Sequence, residues 1–180
     1  KTICPALRIG FAVIPGALFG QAGSGSAFIQ GLARAKSFIS VNTSNITQAM
    51  VGALLLTEEC SLRKVVAPVL ERYRENRDTM VAKLSESFAG LRDHVEWNVP
   101  AGGFFLTVKL PFRFALRDAE ICAKDYGVLV MPLSFFALDD RHDFFVRMAF
   151  SNVTPALISS GIERFERFVS DHLAKRNADQ

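Results

Sequence analysis

No apolar run in this chain approaches the roughly 18 consecutive residues that a membrane-crossing helix requires. The longest candidate, Met50 to Leu56, soon meets Glu58 and Glu59, so no membrane partner is expected. Charge of one sign is not gathered either. The 21 Lys and Arg lie scattered among 18 Asp and Glu, for a net charge of +3, and a nucleic-acid partner is not expected from that pattern. Cysteine is sparse: Cys4, Cys60 and Cys122 are far apart and lack C-x-x-C or Cys/His ligand spacing. That excludes a zinc ribbon or a disulfide framework, predicts no metal, and reads as reduced packing residues of a cytoplasmic protein. The GSGS stretch within Gly20 to Ser26 lacks the Lys and Ser/Thr of a phosphate-binding loop and is expected to be a flexible connection. Neither an initiator Met nor a signal peptide is present. The opening residues belong in mid-domain, so the chain reads as starting partway through a longer polypeptide.

What remains is ordinary globular composition, 49% hydrophobic and 22% charged over 180 residues, enough for one sizeable core or two small ones. Leu7 to Ile14 is short, apolar and closed by Pro15-Gly16, which predicts a buried strand. Phe28, Leu32 and Ala35 mark a helix ending near Lys36. A second helix, capped by Ser44 or Asn45, carries Ile46, Ala49, Met50, Ala53 and Leu54 on a face expected to be buried. The polar cluster Asn42 to Asn45 is explained by capping. A longer stripe of Val66, Val69, Leu70, Tyr73, Met80, Val81, Leu84 and Phe88 runs to a stop at Gly90. Its length suits a helix bridging two domains.

Beyond Gly90 the period changes to two. Phe104, Leu106, Val108 and Leu110 share one face of a strand, and Phe105, Thr107 and Lys109 the other. A helix through Ala119, Cys122, Ala123 and Tyr126 stops at Gly127, followed by strands Val128 to Met131 and Phe144 to Phe150. A last helix has Thr154 as cap, Pro155 in its first turn, and Ile158, Ile162, Phe165 and Val169 facing inward. The C-terminal half therefore predicts an α+β unit of three or more strands with helices on one face. His94, His142 and His172 sit near element ends and are read as surface or capping residues.

Two constellations carry chemistry. In KTICPALRIG a lysine amine precedes an arginine by a short loop that leads into the predicted strand. The lysine can form a Schiff base with an aldehyde, and the arginine can pair bidentately with a phosphate dianion. In FFVRMAFSN, alternation sets Phe144, Val146, Met148 and Phe150 toward the core and Phe145, Arg147, Ala149 and Ser151 on the other side. On this strand alone two readings of Arg147 stay open. It lacks an apolar face to lie along, so it either salt-bridges to Asp139, Asp140 or Asp143, or binds a carboxylate ligand.

The first segment resembles the pyridoxal 5'-phosphate (PLP) lysine segment of class I/II aminotransferases, a lysine followed by Leu-Arg-x-Gly. Lys1, Pro5, Leu7, Arg8 and Gly10 fall where that pattern wants them. FFVRMAFSN resembles the family's R-[LMI]-x-F-[SA] strand. NVPAGGFFLTVKLP, Asn98 to Pro111, resembles its P-x-G-G-x-F-x-W-x-x-L-P hairpin, with Thr107 in place of the frequent Trp. GVLVMPLSFF, Gly127 to Phe136, resembles its G-V-x-V-x-P-G-x-x-F segment, with Leu133 where Gly is usual. The four matches occur in the family's order over nearly the whole chain.

The resemblance implies an α/β fold, the C-terminal part of an aspartate aminotransferase-like PLP-dependent transferase. Residues 1–61 would end the large PLP-binding domain, 62–90 would be the connecting long helix, and 91–180 the small α+β domain. It implies a cytoplasmic homodimeric enzyme that moves an amino group between an L-amino acid and a 2-oxo acid, with Lys1 catalytic and holding the cofactor, Arg8 on its phosphate and Arg147 on the substrate carboxylate. Such a chain, expressed alone, is expected to be inactive and poorly stable. A PLP lyase, decarboxylase, oxidase or hydroxylase would keep both Lys1 and Arg147, and the aminotransferase-like effector domain of a transcriptional regulator, which a winged-helix segment upstream would favour, is an alternative of another class. Phe104, Phe105, Phe135 and Phe136 hint at an apolar or aromatic substrate side chain, while phenylglycine-like and aminoadipate-like substrates stay open.

Overall fold

The computed structural model describes residues 7–11, 24–40, 42–91 and 93–178. The chain divides into two units, Lys1–Ala67 and Pro68–Gln180. In the first, helix α1 spans Ser24–Ile39 and α2 spans Asn45–Thr57. The predicted loop is thus helical from Ser24 onward, and α1 runs three residues past Lys36. The predicted strand is not formed by Leu7 to Phe11, and Arg8 at φ 51 is incompatible with extended backbone; residues 12–14 lie outside the described residues. Helix α2 forms as expected after Ser44, but no side chain caps it. Instead Thr47 Oγ1 donates to the Ser44 carbonyl and Gln48 Nε2 to the Thr43 carbonyl, both at 3.0 Å. The predicted buried face is corrected here: none of α2's residues is buried, and Ile46 and Leu56 are largely exposed. Periodicity shows which residues share a face, not whether another element covers it.

Helix α3 (Arg63–Ser87), which belongs to the second unit from Pro68 onward, ends short of Gly90, in a 3-10 turn at Ala89–Leu91. Strands β1 (Glu96–Trp97), β2 (Phe105–Lys109), β3 (Met131–Pro132) and β4 (Phe145–Ala149) build one antiparallel sheet in the order β1-β2-β4-β3. Helix α4 (Leu116–Tyr126) precedes β3, and α5 (Pro155–Ala178) closes the unit. Leu106 and Val108 of β2 and Val146 and Met148 of β4 are buried on one face. They join Met80, Leu84 and Phe88 of the α3 stretch, Ala119 and Cys122 of α4, and Ile158, Ile162, Phe165, Phe168 and Val169 of α5 in a single core. Each fully buried Leu, Val or Phe contributes about 1.5–3 kcal/mol relative to exposure. The core faces of β2 and β4 and the inner stripe of α5 match the two sequence periods, except that Phe144, expected on the core side, precedes β4 and is exposed.

Strand β3 is shorter than Val128 to Met131 predicts. Gly127, at φ +67, closes α4, and its N–H and that of Val128 donate to the carbonyls of Ala123 and Cys122, both at 3.1 Å. Val128's donor is therefore spent on the helix end rather than on a ladder. Pro132 is accommodated because β3 lies at the sheet edge. Leu133, where glycine was anticipated, opens a 3-10 segment, Leu133–Phe136, and is not among the positive-φ residues. No left-handed conformation is required there, so leucine fits.

One residue of α3 was not singled out from the sequence. Asn76 is fully buried on the stripe that carries Met80 and Leu84. Its amide donates at 2.8 Å to both the Phe150 and the Val153 carbonyls, tying α3 to the turn between β4 and α5.

Candidate active site

On the sheet face turned away from the core, β4 places Arg147 at its centre. Cross-strand pairing sets Thr107 of β2 on one side of it and Met131 of β3 on the other. Thr107 is itself engaged, its N–H donating to Asn98 Oδ1 at 2.8 Å and its hydroxyl to the same oxygen at 3.2 Å. The Arg147 guanidinium carbon lies over the Phe105 ring at 4.3 Å from its centroid and over the Phe136 ring at 4.2 Å. This corrects the expectation that Arg147 has no apolar surface beside it. Phe105 shares its face two residues from Thr107, and Phe136 is delivered by the 3-10 segment. The cation–π contact stabilises the positive charge without neutralising it.

The three nearby carboxylates proposed as salt-bridge partners do not take that role. Asp139 pairs with Arg141 at 2.7 Å, and the Arg141 side chain and N–H hold its carboxyl below the usual range. Asp143 pairs with Arg113. Asp140 opens the 3-10 turn Asp140–His142, its carbonyl accepting from the Asp143 N–H. Among the described residues Arg147 has no ion-pair partner. A partly buried guanidinium, flanked by rings and free of carboxylate, is suited to an in-plane bidentate bond with a carboxylate ligand.

The hairpin beside it is anchored at both ends. Arg77 Nη1 donates to the Pro100 carbonyl at 3.3 Å, and Tyr73 meets Phe104 edge-on at 5.3 Å. Between them Gly103 takes φ +95, which the Gly-Gly pair allows. Two histidines differ from the surface reading. His172 stacks on Phe112 at 3.9 Å, and His142 Nδ1 is buried without a hydrogen-bond partner while its ring lies 6.0 Å from Phe145.

Of the other anticipated site residues, Lys1 lies outside the described residues. Arg8 is exposed in the first unit, has no ion-pair partner among the described residues, and is a non-glycine residue at φ 51. Such left-handed backbone costs on the order of 1–3 kcal/mol and concentrates at functional positions. Among the described residues no three His, Cys, Asp or Glu side chains gather as metal ligands, and no helix is long and apolar enough to cross a membrane.

The sequence also matches a known family. The model for aminotransferase class I and II covers residues 3–165, and the chain belongs to that family. Among individual relatives it is 33% identical over 173 residues to an (S)-3,5-dihydroxyphenylglycine transaminase of Amycolatopsis orientalis, covering 96% of this chain and 38% of that protein. It is 29% identical to the mitochondrial kynurenine/alpha-aminoadipate aminotransferase of Rattus norvegicus, covering 95% of this chain and 38% of the relative. The chain thus spans 38% of the length of each of these relatives. In solved structures the same fold occurs in an alpha-aminoadipate aminotransferase of Thermus thermophilus complexed with N-(5'-phosphopyridoxyl)-L-leucine. The TM-score is 0.69 at 21% identity, covering 87% of this chain and 41% of that one. A multiple substrate aminotransferase of Thermococcus profundus gives 0.70 at 23%, covering 87% and 40%.

Proposed function

We propose that this chain carries the lysine and two arginines of a PLP-dependent aminotransferase that moves an amino group between an L-amino acid and a 2-oxo acid. The observation that carries the reading is Arg147, held between two aromatic rings on a sheet face with no carboxylate of its own. The named relatives support amino transfer over the other PLP reactions and over a regulatory domain. In this reading residues 1–61 belong to the cofactor-binding domain, 62–90 to the connecting helix and 91–180 to the small domain.

Arg147 binds the substrate carboxylate through paired N–H donors and so fixes the orientation of the Cα–H bond. Lys1 would hold the cofactor through its amine and, once freed, would take the Cα proton as general base and deliver it as general acid to the cofactor carbon rather than back to Cα. Arg8 holds the cofactor phosphate. When bound, pyridoxal phosphate supplies an electron sink for the pair that the departing proton leaves behind.

The proposed substrate has an aromatic or apolar side chain. Support comes from relatives named for dihydroxyphenylglycine and aromatic amino acids, while the relative named for kynurenine is named for alpha-aminoadipate as well. A homodimer is part of the proposal, supported by the uncovered apolar residues of α2. A cytoplasmic location is too, supported by Cys60 and Cys122, which are both free thiols.

The test is the absorbance spectrum of the full-length protein with PLP, before and after borohydride, followed by an amino acid panel with product identification. A visible band that borohydride bleaches, with cofactor recovered on the peptide containing Lys1, and 2-oxo acid production together bear out the reading. Lack of covalent cofactor at Lys1, or products other than 2-oxo acids, overturns it.

A further inference from the structure

We propose that Phe105 and Phe136 are positioning residues that clamp the Arg147 guanidinium and present its edge to the ligand carboxylate. The inference rests on the reading of Arg147 as the carboxylate holder and deepens it. A guanidinium carries its five N–H donors in its plane and none on its faces. Ring centroids 4.3 and 4.2 Å from the guanidinium carbon occupy its surroundings with surfaces that attract the charge and accept no strong hydrogen bond. The two rings sit on different elements. One comes from β2 and the other from the 3-10 segment after β3, so the clamp needs both elements seated.

A long arginine side chain otherwise loses rotamer freedom when it binds, and the rings remove that freedom beforehand. They also leave the N–H donors unspent, because neither ring carries a counter-charge. The sheet adds to this from below: the root of Arg147 is fixed by pairing with both Thr107 and Met131.

The clamp is tested in the full-length enzyme by the affinity of 3-phenylpropanoate, which has a carboxylate but no amine to react, with 3-phenylpropanamide as the ligand lacking the charge. Phe105→Leu and Phe136→Leu are each expected to weaken 3-phenylpropanoate roughly three- to tenfold, to leave the amide unchanged, and to raise KM for the amino acid with kcat held. Phe136→Tyr keeps the ring face and is expected to retain affinity, which separates the clamp from a folding defect. In an Arg147→Ala background the leucine substitutions are expected to have no further effect on the carboxylate.

The failures are distinguishable. If Arg147→Ala leaves 3-phenylpropanoate affinity intact, the carboxylate-holder reading itself falls. If Arg147→Ala weakens binding but the leucine variants bind like the parent, only the clamp is overturned. Equal losses for acid and amide, or an undiminished leucine effect without Arg147, mean that the rings touch the ligand directly and also overturn it.

Discussion

Replacing Asn76 by leucine should destabilise the second unit by about 1–3 kcal/mol. The side chain is fully buried and donates to two carbonyl oxygens at 2.8 Å, that of Phe150 buried and that of Val153 partly so. Leucine leaves both acceptors unpaired. A buried acceptor costs about 1–3 kcal/mol, and a half-exposed one less because water reaches it. Against this, leucine removes Asn76 Oδ1, which is buried without a partner, and adds apolar contact. The net loss is a large fraction of a typical stability of about 5–15 kcal/mol. Asn76→Asp gives the sign. Its carboxylate would face the same two carbonyls, so burial and the loss of donors raise its pKa above the unfolded value. Stability from its protonated form is then present at low pH and lost as pH rises through the folded pKa. The aspartate variant should therefore lose more at about pH 7.5 than at about pH 4.5, each compared with the parent chain at the same pH. Urea unfolding followed by emission reads this directly, because Trp97 is the only tryptophan of the chain and packs against the core. A leucine variant within about 0.5 kcal/mol of the parent, or an aspartate variant with no such pH dependence, would refute the assignment of the amide as a buried double donor.

Two further substitutions probe the helix ends. Gly127→Ala should cost about 1–2 kcal/mol, read as a lower thermal midpoint, since φ is +67 and a Cβ would stand 2.8 Å from Arg164 Nη1. That guanidinium donates to the Gly127 carbonyl at 3.2 Å and the Tyr126 carbonyl at 3.5 Å, so adding Arg164→Ala should recover none of the backbone strain but remove the clash. Tyr126 donates its hydroxyl to Asp171 at 2.7 Å, and that bond, with burial and nearby negative charge, pushes the phenol up to about 12. Its stabilising contribution is complete below the unfolded value near 10 and is lost as pH climbs toward the folded one. Tyr126→Phe should remove that part of the decline, seen in thermal midpoints measured across the alkaline range; an unchanged slope would discount the bond.

The second unit was legible where a local pattern met a partner. Alternation along Phe105 to Lys109 and Phe145 to Ala149 identified the core side because the strands do pair and helices do cover that face. The same logic failed for α2, whose apolar residues share a face that no described residue buries. Asn76 escaped because a polar residue within an apolar helical stripe reads as a flaw in the pattern. Its two acceptors lie 74 and 77 residues away. The strand after α4 was over-read because apolar composition does not reveal that Val128 spends its N–H on the Cys122 carbonyl.

For the candidate site, the sequence placed Arg147 on the correct side of β4 but could not choose between an internal salt bridge and a ligand. Asp139, Asp140 and Asp143 all lie within eight residues of it, close enough in sequence to make the salt bridge a fair expectation. The residues that bear on the choice are elsewhere. Arg141 occupies Asp139 and Arg113 occupies Asp143, while Phe105 and Phe136 surround the guanidinium with apolar surface. Neutralising neighbouring carboxylates with other arginines lowers the competition for Arg147 and leaves its N–H donors for an incoming anion. Four other side chains, none of them on its own strand, thus bear on position 147: Arg141 and Arg113 hold two of the three candidate carboxylates, and Phe105 and Phe136 lie against its guanidinium. Substitutions at those positions should therefore alter ligand binding while Arg147 itself is intact.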